Sequence, residues 1–360
     1  MSNFFEYKDS LVFHPGYYIK ELIEESGLTQ EDYAKRLGTT PKNLSTLVRG
    51  EQSLSIDIAM KLARLNDTSV EYWLNLQKKY DSAMAMYRSD IELNEEKEVL
   101  RVLDYGYFRK NFHLPDLLHK VEDQVCTLRK FLNVSSLSVL KNKDMAVRFR
   151  RSLSSVSETS IIKANAMVQI ATIDAMKEKA PVFDKSQFEN SVRYVMTQTS
   201  NHEGFYPLIK QSLKESGVVL EVLPNMPGSK INGATKRIGD SILLMVNDRN
   251  TTADSFWFSL FHELGHIYNG DYGISFENEC GADEESADRF AEDRLIPPDS
   301  YSRFVDVRNF SRASVLAFSR RINRDPGIVV GRLQNDHLVS YGNRSLNELK
   351  SKYKICIQGD

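Results

Sequence analysis

The sequence predicts a multidomain chain: an all-α N-terminal domain over residues 13–88, a helical middle region over 89–200 and an α+β domain over 201–360. Three changes of pattern carry this. From 13 to 88, short apolar-periodic stretches are broken by Gly27, Gly38 and Gly50. From 89 to 200 the pattern is that of long amphipathic helices, interrupted at Pro115 and Pro181. From about 205, β-rich runs alternate with turns. With 360 residues and 41% apolar content, the chain can fill two or three cores. A net charge of -2 with 27% charged residues gives no sign of disorder or of a polyanion-coated partner along the whole chain. The longest apolar run, Ile242–Val246, is too short to cross a bilayer. The N-terminus lacks a basic start followed by an apolar stretch, so no secretion signal is expected. Cys126, Cys280 and Cys356 are scattered without a C-x-x-C pair, which suits free thiols in a reducing cytoplasm.

In the N-terminal domain, Thr29 can cap a helix over Gln30–Leu37, and Gly38 makes a tight turn. Thr40-Pro41 opens a second helix that runs to Arg49. This is a helix-turn-helix. Leu44, Leu47 and Val48 give the second helix one buried face. Lys42, Asn43, Ser45, Thr46 and Arg49 then face outward, a set suited to base edges and phosphates in a major groove. Ser55 caps the next helix. Residues 1–90 hold 11 Lys/Arg and 13 Asp/Glu, a weak footprint for phosphate. Binding to a double-stranded operator therefore calls for a homodimer, or for cations gathered on one face by Lys35, Arg36, Lys42 and Arg49. The basic stretch 138–155 reads as a solvated helix face.

In the C-terminal domain, Val218–Leu223 and Ser241–Val246 read as strands, with turns at Gly228 and Asn232-Gly233. "FWFSLFHELGHIYNGD", Phe256 to Asp271, is apolar almost all round and reads as a buried helix closed by Asn269-Gly270. It carries His262-Glu263-x-x-His266. Residues four apart share a helix face, so both imidazoles can address one ion, with Glu263 beside them. Two unsatisfied histidines in a core would be costly. Zinc wants a third protein ligand and, for hydrolysis, one open position. The candidates are Glu277, Glu279, Asp283, Glu284 and Glu285. Glu284 is preferred because it shares a face with Asp288 on a helix seated by Ala287, Phe290, Ala291, Leu295 and Ile296 and ended by Pro297-Pro298. Asp288 can then hydrogen-bond a ligating imidazole. Cys280 lies near enough to be weighed as a ligand but reads better as a free thiol. Later helices are expected at 312–323 and around 328–335. In this reading His262, His266 and Glu284 hold Zn2+, and Glu263 takes the proton of an attacking water and passes one to the leaving amine. Tyr268, Tyr272 and His337 are candidate oxyanion donors, each with a structural reading beside it.

The E-x-x-x-D helix after H-E-x-x-H resembles the arrangement of thermolysin-like gluzincins. "NGATKRIGDSILLMVNDRNTTADSFWFSLFHELGHIYNGD" followed by "EESADRFAEDRLIPP" resembles the ImmA/IrrE family of metallopeptidases, over about residues 205–300. "DPGIVVGRLQ", 325–334, resembles the tail of family members joined to a DNA-binding domain, and Ser286 stands where Glu or Gln is common. Residues 14 to about 82 resemble the HigA-type antitoxins of the Xre repressor class. Together these resemblances imply a transcriptional regulator carrying a zinc endopeptidase, whose substrate is a repressor-like protein in trans or the chain's own DNA-binding domain. The other reading is an antitoxin that neutralises a cognate toxin, with the metal domain as sensor or scaffold.

Overall fold

A short hairpin precedes the predicted N-terminal helices in the computed structural model, which describes residues 3–143, 145, 156–249, 251–276 and 281–353. Strands β1 (Phe4–Tyr7) and β2 (Ser10–Phe13) pair antiparallel. They lead into α1 (Pro15–Ser26), α2 (Gln30–Leu37), α3 (Pro41–Val48), α4 (Ile56–Leu65) and α5 (Val70–Leu103). The caps predicted at Thr29 and Ser55 form, and Thr40 caps the helix it opens: the three accept from the backbone N–H of Asp32, Ile58 and Asn43. Ile19, Tyr33, Leu44, Leu62 and Trp73 meet in one core. The hairpin lies, but for Phe13, ahead of residues 13–88, the span predicted to be all-α, and extends this unit at its N-terminus. Two strands alone are marginal in water. Here Phe5 packs on α5, its ring 5.6 Å from Tyr80 and 5.7 Å from Tyr87.

The chain divides into two compact units, Met1–Glu95 and Glu96–Asp360. The division falls inside α5 rather than at residue 88, and the predicted middle domain is not separate, because its helices belong to the second unit. These are α6 (Tyr105–Phe112), α7 (Val121–Phe131), a 3-10 turn (Leu137–Lys141), α8 (Glu158–Lys177) and α9 (Lys185–Thr197); α10 (Phe205–Glu215) follows in the same unit. The physical reason lies in α8. It buries Ile161, Ile162, Ala164, Ala166, Met167, Ile170 and Ala171, and packs on the central sheet. Glu96 is fully buried at the start of this unit. It pairs with Arg129 of α7 and accepts the Leu137 N–H. Of the basic stretch 138–155, residues 144 and 146–155 lie outside the described residues.

The sheet contains β3 (Val218–Leu223), β4 (Ile231–Ile238), β5 (Ser241–Asn247) and β6 (Ile274–Phe276), in the order β3-β5-β4-β6. β3 runs parallel to β5, and β4 is antiparallel to both neighbours. Ile242, Leu244 and Val246 enter the main core, while the alternate residues Leu243 and Met245 are buried on the other side. Asn232-Gly233, expected as a turn, lies within β4, where the register with β6 shifts between Ile231 and Gly233. The chain turns instead at Gly239-Asp240.

The motif helix is α11 (Ala253–Asn269), followed by β6, α12 (Ala282–Leu295), α13 (Pro298–Asp306), α14 (Arg312–Ile322), α15 (Pro326–Asn335) and α16 (Arg344–Asn347). α11 packs on β4, β5, α12 and α15. A segment from near the C-terminus lies beside its start: Ala253 N donates to Ser351 O at 2.8 Å, and Tyr353 N to Thr251 O at 2.8 Å. No helix among the described residues is long and apolar enough to cross a membrane. Cys126 is an exposed free thiol, whereas Cys280 and Cys356 lie outside the described residues.

Candidate functional site

α11 and α12 approach closely because residue 265 has no side chain. A Cβ there would lie 3.0 Å from Ala287 Cα. The contact sets Glu284, one turn before Ala287, against the two histidines. His262 Nε2 lies 3.0 Å from His266 Nε2 and 3.1 Å from Glu284 Oε2, and His266 Nε2 lies 3.5 Å from Glu284 Oε1. His262, His266 and Glu284 form a group able to hold a metal ion. Asp283 and Glu285 are exposed on α12, and Glu277 and Glu279 lie outside the described residues.

The far ring nitrogens are also held. His262 Nδ1 is 2.8 Å from Asp288 Oδ1, and His266 Nδ1 is 2.8 Å from Asp271 Oδ2. An ionised carboxylate only accepts, so each Nδ1 carries the proton and each Nε2 lone pair turns toward Glu284. Three acceptors thus converge, and only a proton or a cation relieves them. Burial opposes protonation of His262, but hydrogen bonds to Asp288 and Glu284 and the Glu263 charge outweigh it and push its pKa up to about 10. Burial would raise the Glu284 carboxyl, yet its bonds to His262 and His266 hold it below the usual carboxylate range. The donor set fits zinc. Bonds of about 2.0–2.1 Å in a tetrahedron put donors about 3.3 Å apart, close to the separations seen. Asp288 makes the imidazole contact its spacing predicts. Asp271 has no such signal in the sequence: it lies just past the helix end, where turn geometry rather than periodicity aims a side chain.

Glu263 is buried beside His262. Its carboxylate lies against the backbone of Gly233 in β4, where a Cβ would come within 2.6 Å of it. Two clefts, of about 600 and 420 Å³, flank the first half of α11 and share Asn232, Ser255 and Ser259. Phe258 lines the smaller one, with its ring 6.3 Å from that of His262. The three candidate oxyanion donors have contacts of their own or lie exposed. Tyr268 packs on Phe290 under Lys185, Tyr272 lies under Arg237, and His337 is exposed beyond α15.

In the first unit, Leu44, Leu47 and Val48 of α3 are buried, and Lys42 and Arg49 are exposed. Asn43, Ser45 and Thr46 are half-buried, and they are not loose donors. Asn43 Nδ2 donates to Thr39 Oγ1 at 2.8 Å, and its Oδ1 accepts from Gln52 Nε2 at 2.7 Å. Thr46 Oγ1 lies 3.2 Å from Gln52 Oε1. Arg49 is engaged by Ser45 and Glu51. Residues 51 and 52, which helical periodicity does not assign to this face, order it.

Residues 19–73 match the family described as Helix-turn-helix. Virulence-associated protein I of Dichelobacter nodosus is 33% identical over 73 residues, 20% of this chain and 68% of that protein. The uncharacterized HTH-type transcriptional regulator YddM of Escherichia coli (strain K12) is 30% identical over 77 residues, 21% of this chain and 82% of the relative. The chain belongs to the helix-turn-helix family. Virulence-associated protein A' of Dichelobacter nodosus, 36% identical, is matched over 60% of its own length, less than two thirds. Among solved structures, a putative antidote protein of a plasmid maintenance system from Nostoc punctiforme is 26% identical. That likeness covers 23% of this chain and 91% of the other, with a TM-score of 0.23. A Pseudomonas aeruginosa protein solved in complex with its operator DNA is 29% identical, over 22% and 88% of the two chains, with a TM-score of 0.21. What places this helix-turn-helix protein in its family is thus about a fifth of its length, and the histidine centre lies outside residues 19–73.

Proposed function

We propose that this protein is a cytoplasmic, DNA-binding transcriptional regulator whose second unit is a zinc-dependent endopeptidase acting on a repressor-like protein, in trans or in cis. The observation that carries the enzymatic half is the convergence of His262, His266 and Glu284, each imidazole backed by a carboxylate. The resemblance to ImmA/IrrE and gluzincin sequences agrees with it. The regulatory half rests on the helix-turn-helix match and on the relative named as an HTH-type transcriptional regulator. Zinc, when bound, would supply a Lewis acid for a peptide carbonyl and ease ionisation of a water. Asp288 and Asp271 fix the tautomer and orientation of the two imidazoles. Glu263, held against Gly233, takes a proton from the attacking water and returns one to the leaving amine. The clefts along the first half of α11 would give an extended peptide room next to Phe258, one turn before His262.

Metal analysis of the purified protein should find about one zinc per chain. Glu284→Ala should lose it. Asp271→Asn should bind it about 10- to 100-fold more weakly in a chelator competition, the usual effect of removing a carboxylate behind a ligating imidazole. Zinc at full level in the Glu284→Ala protein would move the third ligand elsewhere.

The helix-turn-helix unit should bind the protein's own promoter as a homodimer. Changing Lys42 and Arg49 together to alanine should weaken that binding and flatten the plot of log affinity against log salt, by about one unit for each phosphate that is no longer neutralised. An unaltered slope would take α3 out of the groove. If neither metal nor cleavage is found while a toxin encoded beside the gene is neutralised, the antitoxin reading replaces this one.

A further inference from the structure

The turn after α3 folds back over the face that would read DNA. Gly50, at φ 71, reverses the chain, and Glu51 N donates to Thr46 O at 3.0 Å. The Glu51 carboxylate then meets the Arg49 guanidinium side-on. Arg49 Nε donates to Oε1 at 2.9 Å and Nη2 to Oε2 at 2.8 Å, while Nη1 donates to Ser45. This is the two-bond fork with which arginine takes a phosphate or a guanine edge. Both side chains are exposed, 49% for Arg49 and 40% for Glu51, so the pair is formed in water and not locked in a core. Lys35 is similarly paired with Glu31 at 2.9 Å and Lys61 with Asp57 at 2.7 Å. The acidic balance of residues 1–90 is therefore built into the surface of this unit as direct pairing of its cations.

We propose that Glu51 is an internal competitor of DNA phosphate: it occupies the Arg49 fork in the free protein and lowers sequence-independent affinity for duplex DNA. The proposal rests on the DNA-binding reading above and deepens it. The pair is open to solvent on both sides and screened by salt, so a DNA acceptor can reach the fork and compete for it. Non-specific binding is essentially all phosphate electrostatics. It therefore carries the effect most visibly.

The test uses the full chain and a random-sequence 30-base-pair duplex, with binding followed by fluorescence anisotropy from about 0.05 to 0.2 M salt. Glu51→Gln should bind about five-fold more tightly at about 0.15 M salt, the size of one further counterion release at a slope of about 0.9. Its log–log salt plot should steepen by about one. Placed in an Arg49→Ala background, the same change should add nothing, because the fork it frees is gone. Unchanged or weaker binding by Glu51→Gln, while the wild type still binds its promoter, overturns the proposal and leaves the DNA-binding reading standing. Weaker binding would mean that Glu51 itself accepts a bond from DNA. An equal gain in the Arg49→Ala background overturns it too, since general charge would then be the cause. Failure of both wild type and variant to bind any duplex at the lowest salt removes the DNA-binding reading together with the proposal.

Discussion

Glu263→Gln should yield a protein that folds and holds zinc as the wild type does but cleaves about 10²- to 10⁴-fold more slowly, the usual cost of losing a general base. Three atoms converge in the centre, from His262, His266 and Glu284, and Glu263 supplies none of them. Glutamine keeps the size of the side chain that Gly233 leaves room for. It cannot take the proton. The assay is co-expression with Xre-type repressors, with fragments identified by mass spectrometry and zinc measured on the same preparations. Equal fragments from both proteins would mean that the H-E-x-x-H helix is not a peptidase site. Loss of zinc in the variant would place Glu263 among the ligands.

Glu96→Gln should destabilise the second unit by about 3–5 kcal/mol, the range found when one partner of a buried ion pair is removed. Glu96 has no exposed surface, and it serves both the Arg129 guanidinium and the Leu137 N–H. Burial alone would raise its pKa, but those bonds, with one from Ser136, hold it below the usual carboxylate range. A depressed folded value means that the carboxylate favours the folded state. Its contribution is full above the unfolded glutamate pKa of about 4.3 and is lost as pH falls through the lower folded value. Urea unfolding at about pH 7 should therefore show the whole difference between wild type and variant, and unfolding near pH 3 a smaller one. A difference below about 1 kcal/mol at pH 7 would show that solvent reaches the pair as it does a surface one.

Where a side chain's position depends on helical period, it is legible in the sequence. His262, His266, Glu284 and Asp288 are set by spacings of four on two helices, and the caps at Thr29, Thr40 and Ser55 by local side-chain chemistry. What escaped depends on turns and on which surface an apolar face meets. Asp271 reaches His266 from beyond a helix end. Lys8 and Asp9 make the first hairpin turn at φ 47 and 59 without the Asn-Gly pair that announces such turns. Asn232-Gly233 carries turn chemistry yet sits at an irregularity inside β4, pressed on Glu263. Periodicity also marked the middle helices as amphipathic, but it could not say that α8 would cover the sheet and join the second unit.

The pairing of Thr252 with Lys352 bears on the order in which the protein is made. The strand-like partner that steadies the entry to α11 is translated 100 residues after it, counting from Thr252 to Lys352. At about 5–20 residues per second, that is a delay of roughly 5–20 s on the ribosome. The first unit ends at Glu95, so all of its own residues have emerged well before then. A nascent chain can therefore present a finished helix-turn-helix while the helix bearing the histidines still lacks its brace.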